Sequence, residues 1–533
     1  MRSLGAGQVD IEFEVPREEF GDLATPVAMA LSKLLRKAPR KVAEEIVGAI
    51  EEKEVFERID IAGPGYINFA FSKKYLISLT KELISLKEKF IRRDTGKGMR
   101  VQVEFVSANP TGPLHLGHGR GAAVGAALSN LLEAAGYSVE REYYINDAGR
   151  QVKLLGLSVF AKYQQQLGLE YPFPEDGYRG AYVEDLAGKI VAGHGSRYSE
   201  MSFQEAQDFF TDFSYKEMLL EIEKDLKDFG IVFNTWQSER ELYAKHEIEK
   251  AIDDLMLRGR TYDKDGALWF KATDFGDDKD RVIRKSDGEL TYFASDIAYH
   301  RKKIEKGFAE IIDIWGADHH GYISRLKAVI QALGYGPEHL TVLLVQMVSL
   351  LRGGKPVQMS KRAGEFVTLR EVMDEVGSDT AKFIFLTRRP DSHLEFDLEV
   401  AKEQSAENPV FYVQYANARI NSIFKNAKEK GIDVSGLEGS DFSLLSAGEE
   451  MRILKKLLAY PRVFESAAVS HEPHRITFYL QELTGLFHPY YNKYRIVTDE
   501  TELTRARLAL CEGVRIVLKD GLGILGLTAP EKM

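Results

Sequence analysis

Cysteine is almost absent: Cys511 is the only one in 533 residues, so no intrachain disulfide can form and no zinc site needing two or more thiolates exists. No apolar run approaches the roughly 20 residues that a membrane-spanning helix requires. Repeats, heptads and low-complexity tracts are also missing, which excludes solenoid, coiled-coil and linker architectures. Nor is there an excess of positive charge. The 71 basic and 81 acidic residues leave a net charge of −10, so an RNA partner would have to meet basic residues concentrated locally. The opening MRSLGAGQVDIEFE is too acidic and too quickly amphipathic for a secretory leader, and a cytoplasmic location is expected.

What remains is an ordinary globular composition, 44% hydrophobic and 29% charged, in a chain longer than one core usually organises. Val9, Ile11, Phe13 and Val15 alternate with Asp10, Glu12 and Glu14, which predicts an opening strand. Helical stretches carrying Lys33, Arg36, Lys37, Arg40 and Lys41 follow, then a GPGY turn and the strand-like INFAF. This predicts an amino-terminal α+β domain over 1–92. A polar linker at 94–98 leads to the buried-strand candidate VQVEFV, and strands near 139–145, 311–315 and 341–346 alternate with helical segments. The pattern predicts an α/β domain with a doubly wound parallel sheet of Rossmann type over 93–390, interrupted by an insertion around 167–233. From 391 to 533 the three-and-four spacing of apolar residues predicts a helical bundle.

Two segments carry chemistry. VQVEFVSANPTGPLHLGHGRGAAVGAALSNLLEAAG runs from a strand through a proline-glycine turn into a small-residue helix. A helix amino terminus offers free N–H groups to an anion, and Gly112, Gly117, Gly119 and Gly121 would let a nucleotide approach the backbone. His115 and His118, three apart, would share a helical face and donate to phosphate oxygens. Metal ligation, structural histidines and a dinucleotide loop are competing readings at this point. The second segment, GGKPVQMSKRAGEF, sets Lys355, Lys361 and Arg362 on a glycine-punctuated loop over 355–365, where a mobile ammonium would suit a pyrophosphate leaving group. A solvated surface loop is the bland alternative.

HLGH resembles the HIGH motif of class I aminoacyl-tRNA synthetases, and QMSKR resembles their KMSKS loop. Within that class EFVSANPTGPLHLGH, YYINDAGRQ, TYFASDIAYH, GADHHGY, NPVFYVQYANARI and GLGILGLTAPE resemble the arginyl-tRNA synthetase family, as does GDLATPVAMAL, so the likeness spans nearly the whole chain. The resemblance implies that His115, His118 and Lys361 are catalytic. It implies that Gly117, Asp318, His319, His320, Met347, Val348, Met359 and Ser360 meet ATP. Glu104, Asn109, Tyr292 and Asp296, with Ser107 as a weaker addition, match the family's arginine pocket, as a planar cation with five donors needs carboxylates. Tyr412, Tyr415, Asn417 and Arg419 fall in the segment resembling the anticodon-binding domain. The amino-terminal unit resembles the domain that touches the elbow of the transfer RNA. Gln358 and Arg362 depart from the outer positions of KMSKS, so only the middle MSK carries over.

The expected reaction is ATP-dependent attachment of L-arginine to the 2′-hydroxyl of its tRNA through an arginyl-adenylate. Mg²⁺ is expected to accompany ATP, no structural metal is expected, and the enzyme is expected to be a monomer whose activation step waits for bound tRNA. Three rivals stand beside it: a lysine synthetase, a nucleotidylyltransferase of the same fold, and a non-catalytic RNA-binding paralogue.

Overall fold

The computed structural model describes residues 11–357 and 366–533. At the amino end Leu23–Thr25, Tyr66–Phe71 and Phe56–Ala62 form an antiparallel sheet with Tyr66–Phe71 in the middle. Helices Val27–Leu35 and Pro39–Gly48 close over it, burying Leu31, Val42 and Ala43 with Ile67 and Phe69. The opening strand predicted at 9–15 does not form within its described part: from 11 to 15 only Glu14 bridges Ala24. Ile11, Phe13 and Val15 stay exposed, so period-two alternation there has no core to face.

The central sheet holds five parallel strands: β1 (Arg100–Glu104), β2 (Ser138–Ile145), β3 (Thr235–Ser238), β4 (Glu310–Gly316) and β5 (Leu340–Val345). Their order is β5-β4-β1-β2-β3. The chain winds outward from β1 in one direction and then from β4 in the other, so the connections reverse between these two strands. In such sheets the crevice at the carboxy ends of the central strands is where ligands bind.

Helix α1 (Leu116–Ala134) covers one face with Val101, Val103, Ile312 and Ile314. Helix α2 (Tyr292–Glu305) covers the other, with Phe293, Ile297 and Ile311 in one cluster. Glycine sets how closely α1 can lie: a Cβ on Gly125 would stand 2.2 Å from Phe105 Cγ. Gly125→Ala should therefore destabilise the fold by about 1–3 kcal/mol, since the clash outweighs the ~1 kcal/mol an alanine normally adds to a helix. A denaturant midpoint at or above that of the parent would show that the helix shifts freely. Gly136, at φ 88, ends α1, and a side chain there would strike Asp94. The expected linker at 94–98 is accordingly pinned, with Gly96 N–H and Gly98 N–H donating to the carbonyls of Ala135 and Gly136.

Between β2 and β3 the crossover holds helices Arg150–Gln166, Ala181–His194 and Phe203–Asp228 around Phe160, Tyr163 and Phe210. The interruption expected at 167–233 lies inside this unit. Past β5, Val348–Arg352 pairs with Leu394–Asp397 in parallel, so the boundary expected between 390 and 391 falls between two paired strands. Helices Pro409–Glu429, Gly448–Val469, His474–Lys493 and Thr501–Ile524 form the carboxy-terminal bundle. Cys511 is buried in it, and its core runs continuously into that of α1. Among the described residues no helix is long and apolar enough to cross a membrane.

Candidate active site

Both histidines of HLGH stand at the start of α1, but not on one helical face. His115 is extended at φ −99 and caps the helix from outside. Its Nδ1 accepts from the N–H groups of Gly117 (3.1 Å) and His118 (3.4 Å), while His118 Nδ1 accepts from His115 N–H (3.3 Å). The rings stack 3.6 Å apart at 16°. With each Nδ1 accepting, the proton of a neutral ring sits on Nε2, which is the donor a phosphate oxygen requires. Gly117 packs beneath the His115 ring. Gly119 serves packing and not a nucleotide, because a Cβ there would press on Leu369 at 2.7 Å and Phe385 at 3.2 Å.

The pair lines a cavity of about 810 Å³ with Asn109, Gln151, Arg179 and Phe366. Its outer wall comes from the crossover unit, where Tyr182 Oη donates to the carbonyl of Thr111 (2.8 Å) and Tyr178 N–H donates to Ser158 Oγ (3.0 Å). The described residues just after 365 also reach this place. Phe366 turns its ring edge to His115 at 6.3 Å, and Leu369 N–H donates to Leu114 O at 2.7 Å. Gln358, Met359, Ser360, Lys361 and Arg362 themselves lie outside the described residues.

A second cavity, about 410 Å³, opens where the winding reverses, lined by Glu104, Ser107, Glu239, Tyr292, Asp296 and Tyr322 among others. Four of the five residues expected around arginine thus come together. Asn109 instead lines the histidine cavity, donating to Gln151 Oε1 at 2.7 Å. Tyr292 and Asp296 fall on successive turns of α2, Tyr292 exposed at the mouth and Asp296 half-buried. Tyr322 donates to Asp296 Oδ2. Burial pushes the Asp296 carboxyl up to about 6 against the Tyr322 hydrogen bond, and burial together with the charge of Asp296 pushes Glu239 up to about 7. Two strained residues shape the floor: Val106 and Ser107 have φ 70 and 39, a region costly for a β-branched side chain. That bend lets Ser107 Oγ donate to Glu104 Oε1 (2.8 Å) and accept from Tyr144 N–H (3.1 Å).

The chain that builds this crevice is similar to known proteins along its length. The model of tRNA synthetases class I (R), catalytic domain, matches 79–425; those of the arginyl tRNA synthetase N terminal domain and the DALR anticodon binding domain match 3–71 and 413–533. The arginine–tRNA ligase of Syntrophotalea carbinolica is 52% identical over 100% of this chain and 97% of its own. The chain belongs to the arginyl-tRNA synthetase family. The arginine–tRNA ligase of Geobacter sp. strain M21 is 51% identical over 100% of this chain and 96% of its own. A solved arginyl-tRNA synthetase of Thermus thermophilus, 22% identical, shares the fold at a TM-score of 0.79, covering 100% of this chain and 98% of that one.

Against that family background the remaining expected residues divide. Asp318, His319 and His320 sit on an exposed turn after β4, and His319 reaches the edge of the second cavity. Just past β5, Met347 is exposed and Val348, which opens the strand Val348–Arg352, is buried. The buried Arg120 fixes that neighbourhood: its guanidinium donates to the carbonyls of Gln346 (2.9 Å), Ser392 (2.8 Å) and Arg389 (2.8 Å). Tyr412, Tyr415 and Arg419 form a half-buried cluster with His488, the Arg419 guanidinium lying 4.6 Å above the Tyr415 ring. Asn417 does not belong with them. It is fully buried and its amide donates to the carbonyls of Ala529 (3.1 Å) and Pro530 (2.8 Å), so it ties down the tail and has no surface to offer RNA. The reading from sequence missed Glu239, Tyr322, Tyr182 and Arg179. Glu239 carries a usable signal, an acid directly after a strand end, while the others need the folded chain.

Proposed function

We propose that the two cavities at the carboxy ends of β1 and β4 work as one site that joins L-arginine to its tRNA at the expense of ATP. The observation carrying this reading is the placement of Glu104, Glu239 and Asp296 in one slot at the switch point of the sheet, beside the histidine pair. Arginine would lie with its guanidinium among the carboxylates, where paired charge-assisted bonds offset desolvation. Its carboxylate oxygen attacks the α-phosphorus of ATP, the bond from that phosphorus to the bridging oxygen breaks, and pyrophosphate leaves. The Nε2–H groups of His115 and His118 stabilise the charge that grows on the phosphates, and the N–H groups at the start of α1 add to it. The 2′-hydroxyl of the terminal adenosine then attacks the activated carbonyl carbon and AMP departs.

Lys361, outside the described residues, takes the role of a cation on the leaving phosphates. Asp318, His319, His320, Met359, Ser360 and the backbone at Met347 and Val348 complete the nucleotide side. Mg²⁺ would come with ATP and not from a protein-held site, adding positive charge at the phosphates. The amino-terminal domain, with Lys33, Arg36, Lys37, Arg40 and Lys41 all exposed, and the aromatic cluster around Tyr412, Tyr415 and Arg419 receive the tRNA. A cytoplasmic monomer completes the proposal. The test is aminoacylation of total tRNA with a mixture of labelled amino acids: arginine alone should become RNA-bound, and a different label would replace this reading.

The raised carboxyls give the reaction a pH dependence. Asp296 and Glu239 must ionise to hold a guanidinium, and burial pushes their carboxyls up to about 6 and about 7. Arginine KM should therefore rise as pH falls from 8 to 5.5, with protons released on binding near pH 6.5. A flat arginine KM across that range would separate these two groups from the substrate.

A further inference from the structure

Beneath the arginine slot three acids stand side by side. The strand register puts Glu104 opposite Asp313 on β4 and opposite Glu142 on β2, all on the face covered by α2. Neighbouring parallel strands are about 4.8 Å apart, so three ionised carboxylates in a row repel strongly in a dry interior. Helix α2 answers them. Lys303, fully buried, donates to Glu104 Oε2 and to Asp313 Oδ1 (2.8 Å). Tyr299 Oη lies against Glu104 Oε2 (2.9 Å) and Glu142 Oε1 (2.6 Å). His300 meets Asp313 Oδ2 (3.0 Å) through Nε2 and the carbonyl of Asp296 (2.8 Å) through Nδ1. Lys306, partly exposed, pairs with Glu142 Oε2 at 2.8 Å. Lys306 also meets Glu140 Oε1 at 3.1 Å, so among the described residues Lys303 is the one fully buried cation facing the row, and Glu104, Tyr299, His300 and Asp313 also line the slot.

Resting on the arginine reading above, we propose that Lys303 is a positioning residue for the amino-acid site: it keeps Glu104 ionised and fixes its orientation, so that the carboxylate is ready for the substrate's cation. The alternative for such a buried group is to take up a proton and lose its use. Burial drives Glu104 above its ordinary value and Lys303 opposes it, while Asp313, despite its own burial, is held at about 2 by Lys303 and His300. Tyr299 shares Oε2 with Lys303, and Ser107 fixes Oε1.

Calorimetric arginine titrations in buffers of different ionisation enthalpy test this by counting protons. In the parent, Asp296 and Glu239 set the baseline. In Lys303→Met the row of carboxylates loses its buried cation, takes up a proton near neutral pH, and must release it when arginine binds. About one extra proton should leave per arginine at pH 7, and affinity should fall at least about tenfold at pH 6.5, recovering as pH rises. ATP affinity should stay within about twofold, and Lys303→Arg should restore most of the loss. Should Lys303→Met fail to fold, Lys303→Met with Asp313→Asn removes one charge of each sign: no extra proton should then leave, but arginine affinity should still fall because Glu104 has lost the donor that orients it, and unchanged affinity in that variant would overturn the inference. An unchanged proton count and affinity, with only a lower melting temperature, would make Lys303 purely structural and overturn the inference. Absence of arginine binding by the parent chain would instead overturn the functional reading on which it rests.

Discussion

Asp296→Ala should weaken arginine binding by roughly 2 to 4 kcal/mol, about 30- to 1,000-fold, while leaving ATP binding nearly unchanged. The carboxylate is held in place by Tyr322, stands one turn of α2 from Tyr292 at the mouth, and shares the slot with Glu104 and Glu239. Removing it takes away one face of a planar cation and leaves the Tyr322 hydroxyl without its acceptor. Glu239, close enough to feel the charge of Asp296, would then ionise more easily, because its neighbour no longer opposes it. Part of the loss should therefore be recovered at lower pH than in the parent. Titration calorimetry at pH 7.5 and 6.5 reads both effects, and unaltered affinity at both would take Asp296 out of the pocket.

His118→Ala should act on rate and not on arginine. Loss of one preorganised donor to the developing phosphate charge lowers adenylate formation by about 10²–10³-fold. Arginine affinity should stay within about twofold, since His118 lines the other cavity and not the acidic slot. The substitution also removes the acceptor that His118 gives to His115 N–H, a capping loss of about 1 kcal/mol. Pyrophosphate exchange with tRNA present measures the first effect and a thermal melt the second. If exchange falls only in proportion to the unfolded fraction, the histidine is a cap and nothing more.

Much of this site could be seen in the residues themselves. EFVSANPTGPLHLGH shows strand, turn and helix start in order, and the spacing of Tyr292 and Asp296 put them on successive turns as the fold has them. The parallel sheet followed from alternation of apolar strands with helices. Other features depend on contacts distant in sequence. Nothing near Lys303 announces that it lies between Glu104 and Asp313, which are 199 and 10 residues away. The left-handed turn at Val106 and Ser107 could not be anticipated, because neither residue favours that conformation and only the surrounding packing imposes it. Asn417 failed for the opposite reason: its chemistry suits RNA, but the chain's last turns occupy it. The alternating stretch from 11 to 15 failed because pattern without a facing layer is not a strand.

The isolation of Cys511 has a practical consequence for watching this molecule come apart. The thiol is enclosed by the carboxy-terminal helices, and burial pushes it up to about 12, so at neutral pH it offers almost no nucleophilic sulfur to an alkylating reagent. Because no second sulfhydryl competes for label, the chain carries an internal gauge that stays silent while those helices are joined and reports on the moment they part.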